Sequence, residues 1–174
     1  MFENFKKNLK KNRLAKRSVH VERNLSFQNF QTARACLLFG VEGSVSALSV
    51  ENLRAMLAER MEVEVLILVG EKERPAVEEV KGAVYVNEGD ISFSGKFVHA
   101  RLHEMMHRSY DLLIDLSRGP DHVGDYLLRF SMAKCKIGME RGGFQCDIVF
   151  EGVEEVGVLQ DRLSELLEKI KTHS

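Results

Sequence analysis

The sequence is poor in cysteine, has no long apolar run and carries no familiar catalytic signature. Cysteine occurs three times, at Cys36, Cys135 and Cys146. The number is odd and no pair has metal-ligand spacing, which excludes a cysteine-built zinc site and a complete disulfide framework. Each cysteine sits in an apolar, strand-like run, so the three read as buried, reduced thiols of a cytoplasmic protein. No apolar stretch approaches the ~20 residues that span a bilayer. The N-terminus is basic but has no apolar segment and no small-residue cleavage site, so it is not a secretory signal. A Gly-x-Gly-x-x-Gly fingerprint, a Walker loop and a Gly-x-Ser-x-Gly elbow are all missing, as is a cysteine beside a histidine partner. There is no internal repeat and no low-complexity tract.

What is present suits one globular domain. The chain has 174 residues, 44% hydrophobic and 29% charged, enough to bury a sizeable core. Its net charge of −1 conceals an asymmetry. Residues 1–23 hold eight Lys/Arg against Glu3 and Glu22, a net of +6; the rest holds 17 against 24, a net of −7. This predicts a basic helical arm over 1–23 on a single acidic α/β domain over 24–174. The arm's helix, over 2–17, has one narrow face of Phe2, Phe5, Leu9 and Asn12. That face either docks on the domain or a second subunit, or the arm touches an anionic lipid or nucleic-acid surface through Lys6, Lys7, Lys10 and Lys11.

The stretch Tyr110–Met139 organises the remainder. An apolar strand, Leu112–Leu116, runs into a Ser-Arg-Gly-Pro turn, a helix over Asp121–Ala133 and a second strand, Cys135–Met139. That is a βαβ unit. Around it lie further strands over Ala35–Gly40, Val63–Val69, Ala83–Val86 and Cys146–Phe150, the last with an Asp147 suited to a sheet edge. A helix over Ser46–Arg60 presents Leu48, Leu53, Met56 and Leu57. Another over Phe97–Ser109 turns Val98, Leu102, Met105 and Met106 to the core. The last, over Val153–Lys171, carries Val156, Leu159, Leu163, Leu166, Leu167 and Ile170 on one face. Glu71–Val80, with Pro75, is a short helix or an exposed turn, and Asn87–Lys96 is a loop. Apolar strands alternating with amphipathic helices give α/β architecture: a three-layer Rossmann-like sandwich with a mostly parallel sheet of about six strands, plus the N-terminal basic helix.

In such sheets ligands bind outside the carboxyl ends of the strands. The first-strand exit offers Gly40, Glu42, Gly43 and Ser44. It reads as a tight turn, or as an anion site in which Glu42 would repel phosphate. The fourth-strand exit offers Asp115 and Ser117. A carboxylate so late in an apolar strand needs a partner. It either accepts amides of the next loop, with Asp121 as helix N-cap, or acts in the crevice as a base. His99, His103 and His107 recur four apart, a spacing open to a metal, but they fall on a solvent-facing flank. No pattern calls for a cofactor.

YDLLIDLS at 110–117, followed by LLRFSMAKCKIG at 127–138, resembles the strand-helix-strand of the N-terminal half of heptosyltransferase-type glycosyltransferases. The likeness covers most of residues 35–139. Length and order are closer still to a small bacterial family of single-domain proteins of unknown function, with a basic N-terminal helix and an A-K-x-K-x-G motif, here Ala133, Lys134, Lys136 and Gly138. In heptosyltransferases the first-strand loop ends in Gly-Asp, whose aspartate is thought to act as the base. Gly43-Ser44 stands there in this chain, and the C-terminal sugar-nucleotide domain has no counterpart. The resemblance thus implies the fold and argues against glycosyl transfer by this chain alone. The leading expectation is a non-enzymatic domain that binds a partner or small ligand, or self-associates, through its N- and C-terminal helices. The alternatives are an enzyme or subunit acting on a nucleotide or sugar nucleotide, and attachment to an anionic membrane or nucleic acid.

Overall fold

A computed structural model describes residues 2–16, 21–70, 80–144 and 146–171, without the side chains of residues 2–5 and 7. Six strands form: β1 (Ala35–Val41), β2 (Glu62–Leu68), β3 (Val84–Val86), β4 (Leu112–Asp115), β5 (Cys135–Met139) and β6 (Ile148–Phe150). They make one sheet in the order β3-β2-β1-β4-β5-β6, and every pairing is parallel. The helices are α1 (Phe2–Lys16), α2 (Ala47–Ala58), α3 (Ala100–His107), α4 (His122–Phe130) and α5 (Val156–Lys169).

The strands are apolar at consecutive positions because both faces are covered. Cys36, Leu38, Val65, Ile67, Ile114 and Ile137 pack with Val50, Leu53 and Leu57 of α2 and with Val156, Leu159, Leu163 and Leu167 of α5. Their neighbours Leu37, Phe39, Leu66, Leu68 and Leu113 pack the other way, against α3, α4 and Leu14 of α1. Asp147 precedes the edge strand β6, where its carboxylate accepts from the amide of Lys136 (2.7 Å) and is gripped by the Arg23 guanidinium.

Four expectations are corrected. Leu48 is 71% exposed, because Ser46 caps α2 and leaves Leu48 in an outward first turn; Val50 takes its core place. Val98 is exposed too, lying ahead of the N-cap His99 instead of inside the helix. The helix α4 stops at Phe130, since Ser131 turns to an extended conformation (φ −57°, ψ 134°). Among the described side chains of α1, Leu14 is buried, while Leu9, expected to dock, stays 42% exposed. Lys10 Nζ donates to Glu88 O (2.5 Å), and Arg129 Nη2 donates to Leu14 O (3.1 Å). The side chains of Phe2 and Phe5 and the segment 71–79 lie outside the described residues. Among those residues no helix is long and apolar enough to cross a membrane.

At the amino end of the sheet, Asp111 ties three segments. Its Oδ2 accepts from Arg34 N (2.7 Å) and Ala35 N (3.1 Å), and its Oδ1 from Lys134 Nζ (2.8 Å). Burial pushes this carboxyl up, but the Lys134 ammonium and the two amides outweigh burial and hold it below its ordinary 3.8. A carboxyl depressed by folding stabilises the fold above its unfolded value, and that stabilisation disappears as pH falls through the folded value. Asp111→Asn is expected to cost about 1–2 kcal/mol at neutral pH, part of the lysine pair being solvent-screened. In urea unfolding the gap to the parent should close below about pH 4.

Candidate functional site at the carboxyl ends of the strands

The strand order reverses direction between β1 and β4, so α2 and α4 leave on opposite faces and a crevice opens between their loops. Two loops wall it: residues 41–46 after β1 and residues 116–121 after β4. All six crevice candidates, Gly40, Glu42, Gly43, Ser44, Asp115 and Ser117, belong to these two strand ends.

The β1 side is closed by its own side chains. A Cβ on Gly40 would stand 3.1 Å from Val45 and 3.3 Å from Ile67. Gly43 turns the chain at φ +79°, and Ser44 N donates to Val41 O (2.9 Å). One amide at the start of α2 is already used: Ser49 N, at its third residue, donates to Ser46 Oγ (3.1 Å). Glu42 Oε2 accepts from Gly70 N (3.3 Å) and adds negative charge. The space between Glu42, Gly43, Val45 and Tyr85 is about 40 Å³, too small for a nucleotide.

The β4 side is built on an ion cluster. Asp115 is 1% exposed and both its oxygens are engaged: Oδ1 accepts from Ser117 N (2.9 Å) and Oδ2 from Arg141 Nε (2.8 Å). Arg141, with 2% of its side chain exposed, also donates through Nη1 to Asp125 Oδ1 (2.8 Å) and to the carbonyls of Gly119 and Gly142 (3.1 Å each). Burial lowers the affinity of this guanidinium for its proton, but Asp115 and Asp125 more than reverse that, so it stays charged. Asp121 caps α4, its Oδ1 accepting from Val123 N (2.9 Å) and Gly124 N (2.8 Å). The second helix N-terminus at the crevice is therefore also satisfied from within. Ser117 Oγ is buried and has no hydrogen-bond partner among the described residues.

Glycines permit this closeness. Gly138 pairs with Asp115 across β4 and β5, and a Cβ there would meet Cys146 Sγ at 2.9 Å. Gly143 sits at φ +90°, and a Cβ there would overlap Asp125 Oδ2. Gly143→Ala is expected to cost about 2–3 kcal/mol in urea unfolding, left-handed strain plus displacement of a buried carboxylate. Gly152→Ala, at φ +65° with nothing within 4 Å, carries the strain alone and should cost about 1–2 kcal/mol.

Neither nearby nucleophile is poised. Burial pushes the Cys146 thiol up to about 12, which leaves no thiolate at neutral pH. Lys136 Nζ is buried, donates to Leu128 O (2.6 Å) and lies 5.4 Å from the Phe144 ring. Burial first, and then Arg23, lowers its pKa from 10.5 to about 8. The A-K-x-K-x-G motif thus acquires structural roles: Lys134 pairs with Asp111, Lys136 caps the end of α4, and Gly138 makes room for Cys146 and Asp115.

The histidine row divides. His99 caps α3, accepting from Leu102 N at Nδ1 (3.3 Å). His103 and His107 are exposed and stack at 4.1 Å. No group of three metal-ligating side chains occurs among the described residues. Reading the sequence missed Arg141 and Asp125. The only hint was an Arg-Gly-Gly turn directly after a buried strand.

A parallel sheet in this order, with helices on both faces, defines a doubly wound, Rossmann-type α/β domain. Within that class the chain belongs to the Family of unknown function (DUF6913), which matches residues 3–170. No curated protein and no solved structure matches the chain.

Proposed function

We propose that this chain is a non-enzymatic α/β binding domain, which meets a protein partner or a second copy of itself through its outer helices α1 and α5. One observation carries the reading: the charged groups at the strand tips are engaged with one another, Arg141 held between Asp115 and Asp125, and the N-termini of α2 and α4 are capped by Ser46 and Asp121. A base in this crevice needs a carboxylate oxygen that reaches substrate, and both oxygens of Asp115 are engaged. We read the likeness of residues 35–139 to heptosyltransferase-type glycosyltransferases as one of fold, because Gly43-Ser44 stands where those enzymes carry Gly-Asp. The three free thiols support a cytoplasmic setting.

The competing reading is an enzyme or subunit that acts on a nucleotide or sugar nucleotide, with Glu42 or Asp115 as base. A thermal-shift screen of both compound classes separates the two. A ligand at a hundredfold excess over its Kd adds about 2.7 kcal/mol, a rise of roughly 5–10 °C at this chain length. No rise is expected. A rise with any of them, abolished by Ser44→Trp, counts for the competing reading, and turnover of that compound overturns the non-enzymatic one.

A further inference from the structure

We infer that α1 and the turn at residues 92–95 together form a docking face for an anionic lipid surface. The helix alone is a weak candidate: Leu14 is spent on the core, and Leu9 is the one large apolar side chain it leaves exposed among the described residues. The fold supplies the complement. Leu9, Asn12, Arg13 and Lys16 recur at i, i+3, i+4 and i+7 on one stripe, and together with Phe93 they line an open trough of about 760 Å³. Leu9 and Phe93 are 42% and 47% exposed. The Arg13 guanidinium lies 4.6 Å above the Phe93 ring, so cation and aromatic present a common front.

Charge selects the occupant. Residues 6–16 contain six Lys/Arg and no acidic residue, while residues 24–174 are net negative; of the six, Arg13 and Lys16 line the trough and Lys10 is held by the Glu88 carbonyl. A diffuse anionic plane attracts such a cluster, while two apolar side chains among the cations enter the headgroup layer. Duplex nucleic acid would use the cations but offers exposed Leu9 and Phe93 nothing apolar along its phosphates. The inference rests on α1 being a contact surface, as proposed above. It does not depend on whether the crevice turns over a ligand.

The test is co-sedimentation of the full chain with two vesicles, phosphatidylcholine alone and phosphatidylcholine with one third phosphatidylglycerol. Binding is expected only to the anionic vesicle, weakening steeply as salt shortens the screening length. Each neutralised cation should reduce partition about fivefold, so Arg13→Gln with Lys16→Gln should reduce it roughly 25-fold. Phe93→Ser should reduce it by about tenfold. These positions are exposed, and unchanged urea midpoints would show that the fold is intact. Absence of binding to the anionic vesicle overturns the inference. Equal binding to both vesicles does so as well, as does duplex DNA binding that Phe93→Ser leaves unchanged. Turnover of a compound found in the thermal-shift screen would overturn the non-enzymatic reading and leave the vesicle result untouched.

Discussion

Arg141→Met is expected to destabilise the fold by about 3–5 kcal/mol, the cost of leaving buried carboxylates without their counter-charge. Arg141 is the shared partner of Asp115 and Asp125, and Asp115 and Arg141 are almost wholly removed from water. Methionine keeps much of the side-chain volume, so the effect reports charge more than cavity. At this chain length the melting temperature should fall by roughly 10 °C. Adding Asp115→Asn should recover at least about 1 kcal/mol, because the new side-chain carbonyl would still accept from the Ser117 amide and no unpaired charge would remain there. Urea unfolding of the four members of this cycle measures the coupling. A loss under about 1 kcal/mol for Arg141→Met alone would show that the cluster is not what holds the strand tips together.

Lys136→Met should act in the opposite direction and raise stability at neutral pH by about 2 kcal/mol. Folding lowers the pKa of this lysine from 10.5 to about 8, a gap of about 3 kcal/mol. Loss of the hydrogen bond to Leu128 O returns about 1 kcal/mol. Below pH 8 both folded and unfolded chains hold the proton, so the penalty is constant. Between about 8 and 10.5 the unfolded chain holds it more tightly, and stability from this group rises with pH. The advantage of Lys136→Met over the parent should therefore shrink across that window. Comparing the two proteins at each pH cancels other titrations there, including the thiols of Cys135 and Cys146, which burial pushes up to about 12. An advantage that is flat from pH 7 to 10.5 would contradict a buried ammonium at this position.

Both effects concern residues whose importance the linear chain barely announces. Asp115 is visible as an expensive carboxylate in an apolar run, and its need for a partner follows from desolvation alone. The partner is 26 residues away, in a turn with no periodic signal. Asp121 is different. An N-cap acts on amides two and three residues ahead, so spacing reveals it. Leu48 shows the limit of periodicity: the helical pattern includes it, but the start of α2 places it outward. The proposed docking face is the least legible feature, since its two apolar members, Leu9 and Phe93, stand on separate elements that only packing brings together.

The sequence by itself determined the layered α/β class and the parallel sheet. Consecutive apolar residues in short runs can be satisfied only when both faces of a strand are covered, and that is a local property. The tertiary structure alone decided that Arg141 is clamped between two aspartates at the strand tips. It also decided that, among the described side chains of α1, Leu14 is buried and Leu9 is left to solvent. Ion pairs and grooves between distant segments depend on how strands are ordered and how tightly their loops approach, and no periodicity along the chain encodes that.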